Sequence, residues 1–398
     1  MVAGIIGRPG RRTRRFVWVG GRLPAGAVLA GLVLLGASVP ASGQALTWSV
    51  VPSPNEGAGS NLQGVSCASA AACTAVGYYL TSGSLQQRTF IESWNGTSWS
   101  VVPSPSRGTA GSSLTGVSCV SAAACTAVGS TTTSSALSAT LIESWNGTSW
   151  SVVPSPNRPT ADSSLAGVSC ISAAACTAVG SSAPSGVDRR PLIESWNGTR
   201  WSVVPSPRPG SLDELDGVSC TSAAACTAVG GYQSSSGPGR TLIESWNGTR
   251  WSVQPSPNSG ASDVLRSVSC ASAAACTAVG YYLLKGSQKS LIESWNGISW
   301  SVVPAPQPPA PVNFLYGVSC VTATACTAAG NYARNPPKTL IDSWNGTSWS
   351  LVASPSPGSE NSELFGVSCA SAAVCTAVGG YANSGLGKTL IETGAGTG

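Results

Sequence analysis

The feature that most restricts this chain is the placement of its fourteen cysteines. They fall into seven pairs with five residues between partners: Cys67/Cys73, Cys119/Cys125, Cys170/Cys176, Cys220/Cys226, Cys270/Cys276, Cys320/Cys326 and Cys369/Cys375. Successive pairs are 49 to 52 residues apart. A fixed period of this length signals an array of one supersecondary unit, so the 398 residues are read as repeats before they are read as domains.

Aligned on its first cysteine, each repeat contains four strand-length segments. The first ends in Leu-x-Gly/Ser-Val-Ser-Cys, with leucine at 62, 114, 165, 215, 265, 315 and 364. The second is Cys-Thr-Ala-Val/Ala-Gly, as at Cys73–Gly77; the third is Leu-Ile-Glu-Ser-Trp, as at Leu141–Trp145. The fourth is Ser-Trp-Ser-Val-Val-Pro, as at Ser149–Pro154. Between the third and fourth lies Asn-Gly, at Asn95, Asn146, Asn197, Asn247, Asn296 and Asn345. Asn-Gly between two strand-like runs predicts a hairpin with a type I′ turn, in which both residues take positive φ.

Four short strands per repeat of this length predict an all-β, seven-bladed β-propeller with four antiparallel strands per blade. The last repeat stops at Leu390-Ile391-Glu392-Thr393 and lacks its fourth strand, whereas Thr47-Trp48-Ser49-Val50-Val51-Pro52 supplies one at the other end. The expected ring therefore closes by the N-terminal strand completing the last blade, which leaves no open sheet edge.

Residues 1–45 read differently. Arg8, Arg11, Arg12, Arg14, Arg15 and Arg22 precede or flank an apolar run from Ala25 to Val39. This is the layout of a signal peptide, with small-residue cleavage points after Ala41 or Ala45. The run is short for a membrane span. The domain reading is thus a signal peptide at 1–45 and a single propeller at 46–398. All six ionisable groups of the leader are arginines, so the remaining chain holds 21 − 6 = 15 basic and 16 acidic residues. Nothing in that balance selects nucleic acid or an anionic membrane as partner.

An exported chain meets an oxidising compartment, so each cysteine pair is expected as a disulfide across the mouth of its hairpin. The fourteen cysteines join the candidate residues in that capacity. Each short loop closed this way contributes about 2 kcal/mol. Zinc is disfavoured because the chain has no histidine to complete a ligand set. The tryptophans flanking each Asn-Gly (Trp94 and Trp99, Trp145 and Trp150) are expected to pack across that hairpin. The third strands carry Glu92, Glu143, Glu194, Glu244, Glu293, Asp342 and Glu392, six of them four residues after an arginine or lysine such as Arg190 or Lys289. Repeated salt links are the expectation there.

The Gly-Thr-Ser-Trp that ends the turn resembles the tail of the Asp-box of sialidase-like propellers, although Trp94 and its equivalents replace the defining aspartate. More broadly, the chain from residue 46 resembles secreted bacterial propeller proteins built from Val-Ser-Cys…Cys-Thr-Ala-Val-Gly and Trp-Asn-Gly-x-x-Trp repeats, with a distant likeness to kelch propellers. The resemblance implies the fold and leaves activity open.

Function is sought where the repeats disagree. The links before the first strand and between the second and third strands vary, and specificity usually resides in such loops. Directly after the fixed leucine, one position varies inside a uniform strand: Gln63, Thr115, Ala166, Asp216, Arg266, Tyr316 and Phe365. With the first strand innermost, these residues would ring the mouth of the central channel and contact ligand. Without histidine there is no Ser-His-Asp triad. The expectation is a secreted, monomeric, non-catalytic binding or scaffold protein without cofactor or metal, recognising a carbohydrate or an extracellular protein. The alternative is a sialidase-like or other carboxylate-dependent glycoside hydrolase using Asp213, Glu214, Asp216 or Asp263.

Overall fold

The computed structural model describes residues 46–105, 111–157, 161–184, 188–233, 237–333 and 335–396. The leader expected at 1–45, with both of its cleavage points, lies outside these residues. Among those described, every regular element is a β-strand, and no helix is long and apolar enough to cross a membrane.

The first complete unit shows the plan: Gly59–Ser69, Ala72–Leu80, Gln87–Trp94 and Trp99–Val101, each antiparallel to the next. The same four-strand sheet recurs along the chain. One sheet has eight strands, because two four-strand units are joined by a single parallel pairing of Gln288 with Val312. The strand Leu46–Val50 pairs with the far end of the chain, Leu386–Gly396, in the register Trp48↔Gly394 and Val50↔Glu392. A Cβ on Gly394 would lie 2.7 Å from the Trp48 indole, so glycine stands where other units carry their third-strand tryptophan.

Each cysteine pair is a disulfide between directly opposed residues of the first hairpin, with Cα atoms 3.9 to 4.0 Å apart. The two ends of a bridge are not equivalent. The first cysteine, such as Cys119, is half-buried, whereas Cys73, Cys125, Cys176, Cys226, Cys276, Cys326 and Cys375 are buried in the apolar clusters between sheets. The cause is the alternation of the second strand, which turns its cysteine, alanine and glycine toward the core and the intervening threonine toward the neighbouring sheet. That threonine hydroxyl reaches the buried sulfur of the next unit: Thr74 Oγ1 lies 3.8 Å from Cys125 Sγ, Thr277 Oγ1 3.9 Å from Cys326 Sγ and Thr327 Oγ1 3.6 Å from Cys375 Sγ. The bridges therefore pack the interior as well as closing their hairpins.

The third-to-fourth hairpin departs from the expected two-residue turn. Trp94 pairs with Trp99, so four residues form the loop, and only the glycine takes positive φ (Gly96, 95°). Asn95 accepts hydrogen bonds from the Thr97 and Ser98 amides through its side chain, both at 2.9 Å. The asparagine is therefore selected for an Asx turn and not for left-handed backbone. The paired tryptophans pack as expected, with centroids 5.7 to 5.8 Å apart.

The core lies between sheets. In each hydrophobic cluster, aliphatic side chains of one unit enter the apolar face of the next: Val128 and Ile142 meet Leu165, Val168, Ala178 and Trp201, and Val378 and Ile391 meet Leu62, Val65, Ala75 and Phe90. The first strands also contact one another in series. Each Cys N–H donates to the Ser Oγ of the preceding first strand, as in Cys119 to Ser66 and Cys170 to Ser118, and Cys67 donates to Ser368 at 3.0 Å. Glycine permits this approach: a Cβ on Gly64 would lie 2.9 Å from the Thr115 carbonyl oxygen.

The expected salt links of the third strand do not form. Glu92, Glu143, Glu194, Glu244, Glu293, Asp342 and Glu392 are fully buried, and none belongs to an ion pair of the described residues. Four residues along a strand span about 13 Å, which carries the basic residue toward the exposed end of the sheet while the carboxylate stays inside. The partner is instead a serine of the Pro-Ser-Pro segment, Ala-Ser-Pro at Ser354, contributed by the preceding unit. Ser53 bonds Glu92, Ser104 Glu143, Ser155 Glu194, Ser206 Glu244, Ser256 Glu293 and Ser354 Glu392, at 2.7 to 3.1 Å. Five of these serines also bond a third-strand threonine, as Ser256 does to Thr241. Burial pushes these carboxyls up, to about 8 for Glu92, Glu293, Asp342 and Glu392 and to about 7 for Glu143, Glu194 and Glu244.

One junction breaks the pattern. Ala305 occupies the serine position, Asp342 the glutamate position and Ser290 the threonine position. Both Asp342 carboxyl oxygens and Ser290 Oγ are buried without a hydrogen-bond partner in the protein.

Candidate functional site

The variable residue after each leucine has a structural cause for its position. In every unit the first strand carries a bulge there, with register shifts at Leu62/Gly64, Leu114/Gly116, Leu165/Gly167, Leu215/Gly217, Leu265/Ser267, Leu315/Gly317 and Leu364/Gly366. A bulged residue leaves the hydrogen-bond ladder and its side chain is re-aimed. The second-strand glycine opposite accommodates the bulge, since a Cβ on Gly77 would collide with the Asn61 carbonyl oxygen.

These bulges bring the predicted residues together. Gln63, Thr115, Asp216, Arg266, Tyr316 and Phe365, with Ala166, line one cavity of about 200 Å³. No cysteine lines it; Cys125, Cys326 and Cys375, at 4%, 4% and 2% exposed, belong to the interior and serve the fold alone. The two sides of the cavity differ chemically. On one side the groups are small or self-satisfied: Thr115 Oγ1 donates to the Leu165 carbonyl at 2.8 Å, and Gln63 Nε2 donates to Asn61 Oδ1 at 2.6 Å.

The other side is charged and aromatic. Arg266 Nη1 lies 3.0 Å from Asp216 Oδ2 and 3.8 Å from Glu214 Oε1. Its Nη2 donates to the Tyr281 hydroxyl at 3.2 Å, and the guanidinium sits 5.6 Å from that ring's centroid. Burial works against the charge of Arg266, but Asp216, Tyr281 and Glu214 together outweigh it and hold the guanidinium ionised. Burial pushes the Asp216 carboxyl up to about 7 despite that cation. Four rings then run in series: Tyr281 to Phe314 (4.7 Å), Phe314 to Tyr316 (5.6 Å) and Tyr316 to Phe365 (5.4 Å). The Tyr316 hydroxyl is pushed up to about 12, by burial first and then by nearby Glu363. Glu363 itself accepts from Asn331 Nδ2 at 2.7 Å and is raised by burial.

Tyr281, Phe314, Asn331 and Glu363 are not among the predicted site residues. A signal exists, because two further positions vary within uniform strands: the residue before the fixed leucine (Asn61, Glu214, Phe314, Glu363) and the residue after the second-strand glycine (Tyr78, Tyr281, Asn331). Register pairs these two positions, as in Val264↔Tyr281 and Phe314↔Asn331.

Most acidic residues of the variable links serve the loops themselves. Asp213 accepts from the Gly210 amide, Asp263 from the Ser259 and Gly260 amides, Asp162 from Ser138 and Glu360 from Gly385. Asp213 and Asp263 are fully buried, which separates them from Glu214 and Asp216 as prospective catalytic acids.

Clefts of about 200 and 110 Å³ also occur between units on the Asn-Gly side, walled by Trp196, Trp246 and Trp295. Their polar groups are already engaged: Trp196 Nε1 donates to Ala173 O at 3.1 Å, and Ser169 Oγ accepts from Cys220 N at 3.0 Å. The tryptophans therefore stitch the fold, and the cavity lined by the bulged residues is the better candidate site.

No family model and no curated protein matches the chain. Among solved structures it is similar to YCF48 bound to D1 peptide, at 12% identity over 88% of this chain and 96% of that one, TM-score 0.55. It is also similar to YCF48 from Cyanidioschyzon merolae, at 13% identity over 87% and 98%, TM-score 0.52. A GH74 xyloglucanase from Xanthomonas campestris aligns at 12% identity over 86% of this chain and 55% of that one, TM-score 0.54. The likeness is one of fold, the repeated four-strand sheets of a β-propeller.

Proposed function

We propose that the chain is an exported, closed seven-bladed propeller that binds an extracellular carbohydrate or protein ligand at the mouth without transforming it. Support for closure comes from the pairing of Leu46–Val50 with Leu386–Gly396 and from the Cys67 N–H donating to Ser368, the last step of the serine–cysteine series. Export is supported by the arginine-rich apolar leader and by a full set of disulfides, with no free cysteine among the described residues.

The observation that carries the binding reading is convergence. The position that varies inside otherwise uniform strands meets its counterparts in one cavity, with an Asp–Arg pair and half-buried rings on one side. Repetition builds the frame, and the bulges present what differs. The test is a screen of the chain from residue 46 against glycans and extracellular proteins, followed by Asp216→Asn, Arg266→Met and Tyr316→Leu combined. Loss of binding with an unchanged circular dichroism spectrum is expected; unchanged affinity refutes the placement.

A hydrolytic reading is favoured by one observation, the Asp216 carboxyl raised to about 7, near the range of a general acid. Hydrolysis of a glycoside panel that disappears on Asp216→Asn would establish it in place of the binding reading.

A further inference from the structure

We infer that the aromatic side of the mouth, Tyr316 and Phe365 beside Glu363, is a subsite for a cationic side chain, the ammonium or guanidinium of a lysine or arginine in a protein ligand. The inference rests on the mouth being the binding site and narrows its ligand to a basic peptide segment.

Most charges of the mouth are already answered within the protein. Arg266 directs Nη1 to Asp216 and at longer range to Glu214 and Nη2 to Tyr281, so its charge is answered by carboxylates although its Nε is buried without a partner. It is not a free cation for an anionic ligand. Glu214 is also answered, by Arg189 as well as Arg266. Glu363 differs. It is half-buried, its hydrogen-bond partner is the neutral amide of Asn331, and no ion pair of the described residues includes it. A half-buried carboxylate without a countercharge gains from a cation placed beside it, which favours its ionised form against burial.

The surroundings add to that preference. A carboxylate only accepts, so the Asn331 edge that faces Glu363 must be its NH₂, and the amide orientation follows. Asn331 Oδ1 is then left buried with no hydrogen-bond partner, and Asn361 Oδ1, two residues before Glu363 on the same strand face, is likewise unpartnered. Acceptors thus exceed donors on this side. The half-buried rings of Tyr316 and Phe365, 5.4 Å apart, line the cavity, and aromatic rings attract a cation. Lysine and arginine satisfy all three features, because they bring positive charge, donors alone, and an apolar stem for the rings. A neutral sugar brings no countercharge, and an acidic peptide is repelled by Glu363.

The experiment is calorimetric titration of the chain from residue 46 with tetralysine, tetraglutamate and cellotetraose. Tetralysine is expected to bind more tightly than either of the others and to weaken as salt is raised. Glu363→Gln, which preserves the shape and the Asn331 contact, should weaken tetralysine at least tenfold, as should Phe365→Leu, with spectra and melting temperature unchanged. Tetralysine binding no tighter than cellotetraose, or a Kd within twofold after Glu363→Gln, overturns the cation subsite. If cellotetraose then binds and is lost in the Asp216/Arg266/Tyr316 triple variant, the cation subsite falls and the mouth stands. If the triple variant leaves every bound probe unaffected, both readings fall.

Discussion

The junction around Ala305 offers a quantitative test of the idea that buried Ser–Glu contacts hold neighbouring sheets together. At Ser256 the serine hydroxyl bonds Glu293 at 2.9 and 3.1 Å and Thr241 at 2.6 Å. One junction further on, a hydroxyl, a methylene and a methyl group are all missing, through Ala305, Asp342 and Ser290, and three polar atoms are left unpartnered. The combined substitution Ala305→Ser, Asp342→Glu and Ser290→Thr rebuilds the neighbouring arrangement. Two restored hydrogen bonds contribute about 1 kcal/mol each. The two added carbon atoms contribute about 0.8 kcal/mol each when buried. The variant should therefore be more stable by roughly 3–4 kcal/mol if the site accepts the added atoms without strain. Ala305→Ser alone should give less, because aspartate is one methylene too short to meet the new hydroxyl. The assay is urea denaturation followed by tryptophan fluorescence. The mirror variant Ser256→Ala, Glu293→Asp and Thr241→Ser should lose stability by a comparable amount. A rebuilt junction no more stable than the parent, or a mirror variant no less stable, would refute the reasoning.

Other outcomes follow from the same physics. The third-strand glutamates titrate near 4.5 when unfolded and at about 7 to 8 when folded, so their contribution is fully present below about pH 4.5 and is lost as pH rises through the folded values. Melting temperature should therefore decline between about pH 5 and 8, and Glu293→Gln should flatten that decline by on the order of 4 kcal/mol at pH 8; a melting temperature that climbs over this range contradicts the assignment. Gly77→Ala drives a Cβ into the Asn61 carbonyl and should destabilise by roughly 3 kcal/mol or more, whereas Gly59→Ala, whose new Cβ would meet its nearest neighbour at 3.5 Å, should be nearly neutral in the same denaturation assay. Iodoacetamide applied without reductant should label none of the fourteen cysteines, and labelling of most of them would sink the disulfide pairing.

Much of this architecture is legible before any coordinate. The cysteine spacing locates each first hairpin, the Trp-Asn-Gly-x-x-Trp run locates the second, and the stray segment at Trp48 identifies a displaced fourth strand. These are local features, recurring at the same distance along the chain, and strand pairing within a sheet obeys them. The variable position after the leucine is legible for the same reason, since a residue free to differ stands out against a uniform background. Turn chemistry is less secure, because Asn-Gly is compatible with both a two-residue turn and an Asx turn.

Contacts between repeats have another origin. Glu92 and Ser53 are separated by 39 residues, the glutamate in a third strand and the serine in the segment that follows the strand Leu46–Val50 of another sheet, so no periodicity within a repeat pairs them, and the nearby arginine suggests a partner that the length of the strand puts out of reach. The burial of Cys125, Cys326 and Cys375 but not of their partners is likewise set by the sheet stacked against each second strand. Tyr316 and Phe365 line one cavity because adjacent first strands approach closely enough for their bulges to face a common space, and Glu363 stands two residues before the Phe365 bulge. Residue order alone specifies the four strands, their disulfides and the place where variation is allowed. Which side chains of neighbouring repeats meet is settled by folding in three dimensions, because burial and countercharge depend on how separate sheets pack and not on the order of residues within one.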